Sequence, residues 1–184
     1  MNCISMLARK AANTATHVTH HVVERTRHVA TEPGPVTAHQ LSELLGVAVD
    51  RLFITEVINT GNLDALSLFV ADQIIDHNAD PAHPPGIEGY KQHLQSVRTT
   101  FPDFQLTIEA QIAEGDLVIT QVTGRGTHQG AWLDIRPRGT PVIVTGINID
   151  RLTDGKIVEH WGEANTVGML AQLGVRFVPD NTAN

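Results

Sequence analysis

The sequence predicts an α+β domain in which helices come first and a curved antiparallel sheet follows. Apolar residues recur at helical spacing up to Phe101 and at strand spacing after Pro102-Asp103. Strand-like runs then follow one another, joined by the turn signals Glu114-Gly115-Asp116 and Asp154-Gly155. Helices followed by a run of antiparallel strands is an α+β order. The strands are about ten residues long, against a usual length of roughly five to six. Strands of that length coil as they twist, so helices laid across the open side of the sheet close a cup.

Taken in order, Thr37 to Leu45 reads as a short helix leading into a longer one, where Val49, Leu52, Phe53 and Val57 form the apolar stripe. Thr60-Gly61-Asn62 ends it, with Gly61 suited to a left-handed C-terminal cap and Asn62 to an N-cap. A short helix over 63–71 precedes a brief strand over 72–77. Three prolines between Asn78 and Gly86 require a loop. A third helix runs from Ile87 to about Thr100 on the stripe Ile87, Tyr90, Leu94, Val97 and Phe101. Strands are expected over 106–112, 117–127, 142–152 and 157–165, then a last helix over 166–173 with Asn165 as N-cap and Gly174 as stop. Both faces of the 142–152 strand are apolar: Val142 and Val144 on one, Ile143, Ile147 and Ile149 on the other. Helices can cover only one face, so the other is expected to pack against a second copy, giving a homodimer.

Pro33-Gly34-Pro35 marks a boundary. Residues 1–36 form an extension carrying Arg9, Lys10, Arg25 and Arg27 against Glu24 and Glu32, a net +2 that leaves −9 of the total −7 to the rest. This acid-poor leader has the composition of a transit peptide or of a variable, partly helical extension. The domain proper is expected over 37–176, with a tail over 177–184. The acidic balance argues against a nucleic-acid surface, which carries a basic stripe. No Lys/Arg cluster favours anionic lipid, and no apolar run approaches the roughly 20 residues that span a bilayer. The expected location is cytoplasmic. Cys3 is the single cysteine, so an intrachain disulfide and a thiolate zinc site are both excluded. His17, His20 and His21 have helical metal-ligand spacing but no acidic partner, and no metal site is expected there.

Several segments resemble the SnoaL-like polyketide cyclase (ester cyclase) family: Glu56-Val-Ile-Asn-Thr-Gly-Asn-Leu-Asp-Ala-Leu66, Asp76-His77, Phe101-Pro-Asp-Phe104, Arg125-Gly-Thr-His128, Thr145-Gly-Ile-Asn-Ile149 and Asp154-Gly-Lys-Ile-Val-Glu-His-Trp-Gly162. They keep family order and spacing over about 48–174. The resemblance implies the conical α+β barrel shared with nuclear transport factor two and ketosteroid isomerase, usually dimeric. That fold hosts cyclases, isomerases, dehydratases, epoxide hydrolases and binders.

The resemblance places at His128 a histidine that assists the cyclase acid/base residue, and an imidazole at a strand end can shuttle a proton near neutral pH. It places at Asn148 the position where the cyclases carry an aspartate as general acid/base. An amide can orient a substrate oxygen but cannot abstract a proton. Asp150, on the same strand face, and Glu163 are therefore the candidate replacement carboxylates. Asp150 also reads as a solvated acid near the rim, in a place where relatives more often carry an apolar side chain. Asn165, where relatives often have aspartate, is either a pocket residue or an N-cap. Adjacent strand residues face opposite ways, so of the pair Asp76 and His77 the expectation is His77, or Asn78, lining the pocket and Asp76 structural. Alternation sets Glu159, Trp161, Glu163 and Asn165 on one face of the last strand and His160 on the other, with Trp161 as a pocket wall. Phe53 and Tyr90 complete the expected lining.

No phosphate loop, dinucleotide fingerprint or nucleophile elbow appears, and no cofactor is expected. The reading is of an enzyme that uses its own acid/base groups to cyclise or isomerise a small, apolar carbonyl or polyketide-type substrate. A small-molecule binder without catalysis, and an epoxide or ester hydrolase that activates water, stand as the alternatives.

Overall fold

Thr37 opens the first helix with a capping box: its hydroxyl accepts from Gln40 N at 3.2 Å, while Gln40 Oε1 accepts from Thr37 N at 3.0 Å. The computed structural model describes residues 36–176; the leader, Cys3, the His17, His20 and His21 cluster and the tail lie outside the described residues. Helix α1 (Ala38–Phe53) is one helix where two were expected. Gly46 alone does not break it, since a single glycine costs only about 1 kcal/mol against alanine. A π-turn, Ile54–Ile58, extends α1, with Asn59 N donating to Ile54 O at 2.9 Å. The Asn59 side chain then donates to Leu106 O (3.0 Å) and accepts from Leu106 N (2.7 Å), which ties the helix end to the sheet. Gly61, at φ 73°, turns the chain out of the helix.

A 3₁₀ turn, Leu63–Ala65, leads into α2 (Leu66–Phe69), which runs directly into β1 (Val70–Asp76). The expected helix to residue 71 stops early because the β-branched Val70 pairs with Ile157. Past the proline loop come α3 (Ile87–Thr100), β2 (Gln105–Glu114), β3 (Leu117–His128), β4 (Thr140–Thr153), β5 (Lys156–Ala164) and α4 (Thr166–Gln172). The β4–β5 turn has Asp154 at φ 51° and Gly155 at φ 75°, the two left-handed residues that a type I′ hairpin requires.

The sheet order is β1-β5-β4-β3-β2. Four strands are antiparallel, and β1 joins the β5 edge in parallel. The sheet is curved and its concave face holds the core, giving the α+β barrel expected. Leu52, Phe53, Ile54 and Val57 of the first helix pack there with Phe69, Tyr90, Leu94 and Val122. A second cluster, Phe101, Val142, Val144, Met169 and Leu173, fills the end near α4. On the convex face Ile143 and Ile147 are about half exposed, at 53% and 50%. No helix among the described residues is long and apolar enough to cross a membrane.

Candidate active site

The register of β4 against β5 decides which side chains meet inside the cup. Leu152 faces Ile157, but Arg151 faces Glu159, so Val158 is an extra residue, a bulge. Beyond it Asp150 faces His160 and Asn148 faces Gly162. Directly opposed residues share a face, and this face turns to the core. On β3 the same row continues through Val118, opposite Asp150, and Thr120, opposite Asn148; Gln111 of β2 faces Thr120.

Of this row, Asn148, His160 and Gly162 line one end of an apolar cavity of about 260 Å³. Its walls are Val57, Ile58, Leu63, Leu94, Val97, Phe104, Leu106, Val122 and Val144, and its polar groups include Asp76, Tyr90, His93, Asn148 and His160. The exposed lining residues Asn78, Thr145, Glu163 and Ala164 mark the rim. His160 Nδ1 lies 2.7 Å from Asp150 Oδ1, with Asp150 only 1% exposed and the His160 side chain 13% exposed. With Nδ1–H donating to the carboxylate, Nε2 is left beside Asn148. A Cβ at residue 162 would sit 3.1 Å from Nε2 and 3.5 Å from Asn148 Oδ1, so Gly162 keeps both atoms uncovered. Burial opposes the imidazolium, but the Asp150 hydrogen bond and charge, with Asp76 and Asp50, outweigh it and raise the His160 pKa above its ordinary 6.5.

Tyr90 meets the His160 ring edge-on at 5.3 Å. Burial, then the charges of Asp150, Asp76 and Asp50, push its phenol well above its usual range, so it keeps its proton and acts as a donor. Burial lowers the pKa of His93, with Asp76 opposing and His160 and His83 adding to the effect. Beneath the pair, on α1, Asp50 is 1% exposed. Its Oδ2 accepts from Thr120 Oγ1 at 2.6 Å and from Gln111 Nε2 at 2.7 Å. Burial, followed by the Asp150 charge, raises its pKa from 3.8 to about 7.

The structure therefore brings Asn148 and Tyr90 to the cavity, with Asn78 and Glu163 at its rim, and sets Asp150 behind His160 as a buried partner rather than a solvated rim acid. It does not bring the others together there. His128 is 1% exposed and packs on Phe101 at 5.6 Å, in the second cluster at the far end of β3. Trp161 is on the convex face, stacked on His77 at 4.4 Å and 5°, with the Arg151 guanidinium 5.9 Å from its ring. His77 contacts Glu159 at 3.2 Å on that same side, so Asp76, not His77, lines the cavity. Glu163 is exposed at the rim and faces Ile147 of the convex row. Phe53 lies a layer deeper, 6.2 Å from the Tyr90 ring. Asn165 caps α4, accepting from Gly168 N at 2.9 Å.

His160, His93 and Asp50 were missed as site residues. The bulge hid His160 by reversing the face that simple alternation assigns. Asp50 did carry a signal, because it shares the helical stripe of Phe53, Ile54 and Val57 at i, i+3, i+4 and i+7, and an acid on an apolar face needs a partner. Among the described residues no group of three His, Cys, Asp or Glu side chains is placed to hold a metal ion.

Known proteins share this fold. The chain is 36% identical to IdmH, a proposed polyketide cyclase from Streptomyces antibioticus, over 71% of this chain and 99% of that one, with a TM-score of 0.62. It is 27% identical to TsrD from Streptomyces laurentii over 71% and 95%, with a TM-score of 0.65. AclR, a proposed hydroxylase from Streptomyces galilaeus, shares the fold at 24% identity over 78% and 91%, with a TM-score of 0.61. A search of curated proteins finds no match. The sequence profile of the SnoaL-like polyketide cyclases matches residues 47–173, the span that builds the sheet, the cavity and the Asp150–His160 pair, and the chain belongs to that family.

Proposed function

We propose that this protein is an acid/base enzyme that cyclises or isomerises a small, largely apolar carbonyl or polyketide-type substrate, with His160 as the proton-transfer group. The observation that carries the reading is the Asp150–His160 pair, 2.7 Å apart, at the polar end of an apolar cavity. The carboxylate orients the ring through Nδ1 and stabilises the imidazolium, which leaves Nε2 to exchange protons with a ligand. In a ring closure Nε2 takes a proton from the carbon beside a substrate carbonyl. The resulting enolate carbon attacks a second carbonyl carbon, whose oxygen takes the proton back from Nε2, and His160 returns to neutral. The Asn148 amide and the Tyr90 phenol are the donors available to the enolate oxygen. Asp150 and His160 thus supply the function that the family's aspartate would have supplied at position 148. His128, in the second apolar cluster, has no part in this proposal.

The test is solvent deuterium exchange at the activated carbon of a small apolar 1,3-diketone, followed by proton NMR. The native protein should accelerate exchange, and His160→Gln should reduce the acceleration about 10²- to 10⁴-fold. Tight binding of the diketone with no acceleration would instead indicate a binder. We also propose that the convex face, with Ile143 and Ile147 exposed, packs against a second copy. A monomer mass by light scattering at micromolar concentration would refute this.

A further inference from the structure

Asp50 is an acid buried in the first helix with no place in the chemistry above. Its two oxygens are treated very differently. Oδ2 accepts two hydrogen bonds, from Thr120 and Gln111. Oδ1 is buried and has no hydrogen-bond donor among the described residues. An ionised carboxylate oxygen left bare in a dry core is costly, whereas a protonated one needs only an acceptor. Asp150, diagonal to Thr120 on the same sheet face and itself already bound to His160, is the neighbouring carboxylate that acts on Asp50. Thr120, 0% exposed, closes the site from β3.

We propose that Asp50 is a positioning residue, the third member of a buried chain Asp50–Asp150–His160, whose protonated carboxyl donates to Asp150 and whose ionisation sets how strongly His160 holds its proton. This rests on the assignment of Asp150 and His160 as the acid/base pair. Asp50 does not line the cavity and acts only through Asp150. The groups that face the chain are Tyr90 and His93 from α3 and Asp76 from β1, with His83 acting on His93. The charges of Asp150, Asp76 and Asp50 all raise the affinity of His160 for its proton, and the Asp50 carboxyl keeps its own proton up to about pH 7. Below that point Asp50 is neutral and steadies Asp150 by a hydrogen bond. Above it, the second buried negative charge retains the imidazolium to higher pH.

NMR titration of the full chain, reading the Asp50 carboxyl carbon and the His160 ring, tests this without a substrate. The native Asp50 carbon should titrate far above the ordinary carboxylate range, a measurement that needs no variant. In Asp50→Asn, whose amide can keep both sets of hydrogen bonds, the His160 midpoint should move down. In Thr120→Val, which deletes a bond favouring the ionised form, the Asp50 midpoint should move up. Asp150→Asn should lower the His160 midpoint whatever Asp50 does. If Asp150→Asn lowers it and Asp50→Asn leaves it in place, the role of Asp50 is overturned and the pair stands. No effect from Asp150→Asn overturns both. An Asp50 carbon that titrates in the ordinary range overturns the proposal outright.

Discussion

Replacing Asp50 by asparagine should make the protein more stable, by an amount that grows from about pH 4 to about pH 7. The folded state holds the Asp50 proton until about pH 7, while in the unfolded chain it leaves near 3.8. Between those values the native state binds more protons than the unfolded state, so stability falls as pH rises. Each pH unit between them costs about 1.4 kcal/mol, for a total of roughly 4 kcal/mol once Asp50 is ionised in both states. Asparagine is close to isosteric, can accept from Thr120 and Gln111, can donate to Asp150, and never ionises. The two proteins should therefore differ little near pH 4, diverge up to about pH 7, and stay apart above it by at most about 4 kcal/mol. Attraction between the Asp50 carboxylate and His160 reduces the gap. Equilibrium urea unfolding at a series of pH values reads the difference as a change in midpoint at constant slope. A difference of constant size across the range, or a variant less stable than the native protein at alkaline pH, would refute the reasoning.

The remaining predictions concern the pair, the cup and its excluded residues. The His160 pKa is raised above 6.5, so its pairing with Asp150 contributes stability that is full below that value and is lost as pH climbs through the folded pKa. The deficit of His160→Gln in urea unfolding should accordingly be largest at acid pH, and a pH-independent deficit would contradict the assignment. His128→Ala should lower stability by roughly 2–3 kcal/mol through the cavity left beside Phe101, while diketone exchange persists; loss of exchange in a folded variant would restore His128 to the site. Asn165→Ala should cost about 1 kcal/mol as a lost N-cap, with ligand affinity unchanged by calorimetry. Gly89→Ala should unfold or strongly destabilise the protein, since its Cβ would fall 1.8 Å from Pro84 O; an unchanged melting temperature would show that this loop can move away.

Much of the architecture is local physics and was legible. The change from helical to alternating periodicity after Pro102-Asp103 places the helices before the sheet, and Asp154-Gly155 specifies its hairpin through two left-handed residues. The Asn165 cap and the stripe of α3 follow from rules that span only a few residues. Gly61 ends its helix for the same kind of reason.

What escaped the sequence was decided over longer range. Without the extra residue at Val158, the hairpin register would set Glu159 opposite Asp150 and Trp161 opposite Asn148. Trp161, on that face, is the pocket wall expected from the sequence. The bulge moves pairing by one position, and with a side-chain period of two this turns His160 inward and Trp161 outward. No residue type at Val158 announces it, because the shift depends on how β5 meets both β4 and the parallel β1. His128 is a similar case: its face was legible, but its distance along β3 from the cavity depends on where Phe101 and α4 close the barrel. The sequence by itself determined the order of helices before strands and the family, since those rest on neighbours a few residues apart and on motifs in order. Only the tertiary structure decided which titratable groups share the dry end of the cup, because a strand's register, not its composition, chooses the face that each side chain takes.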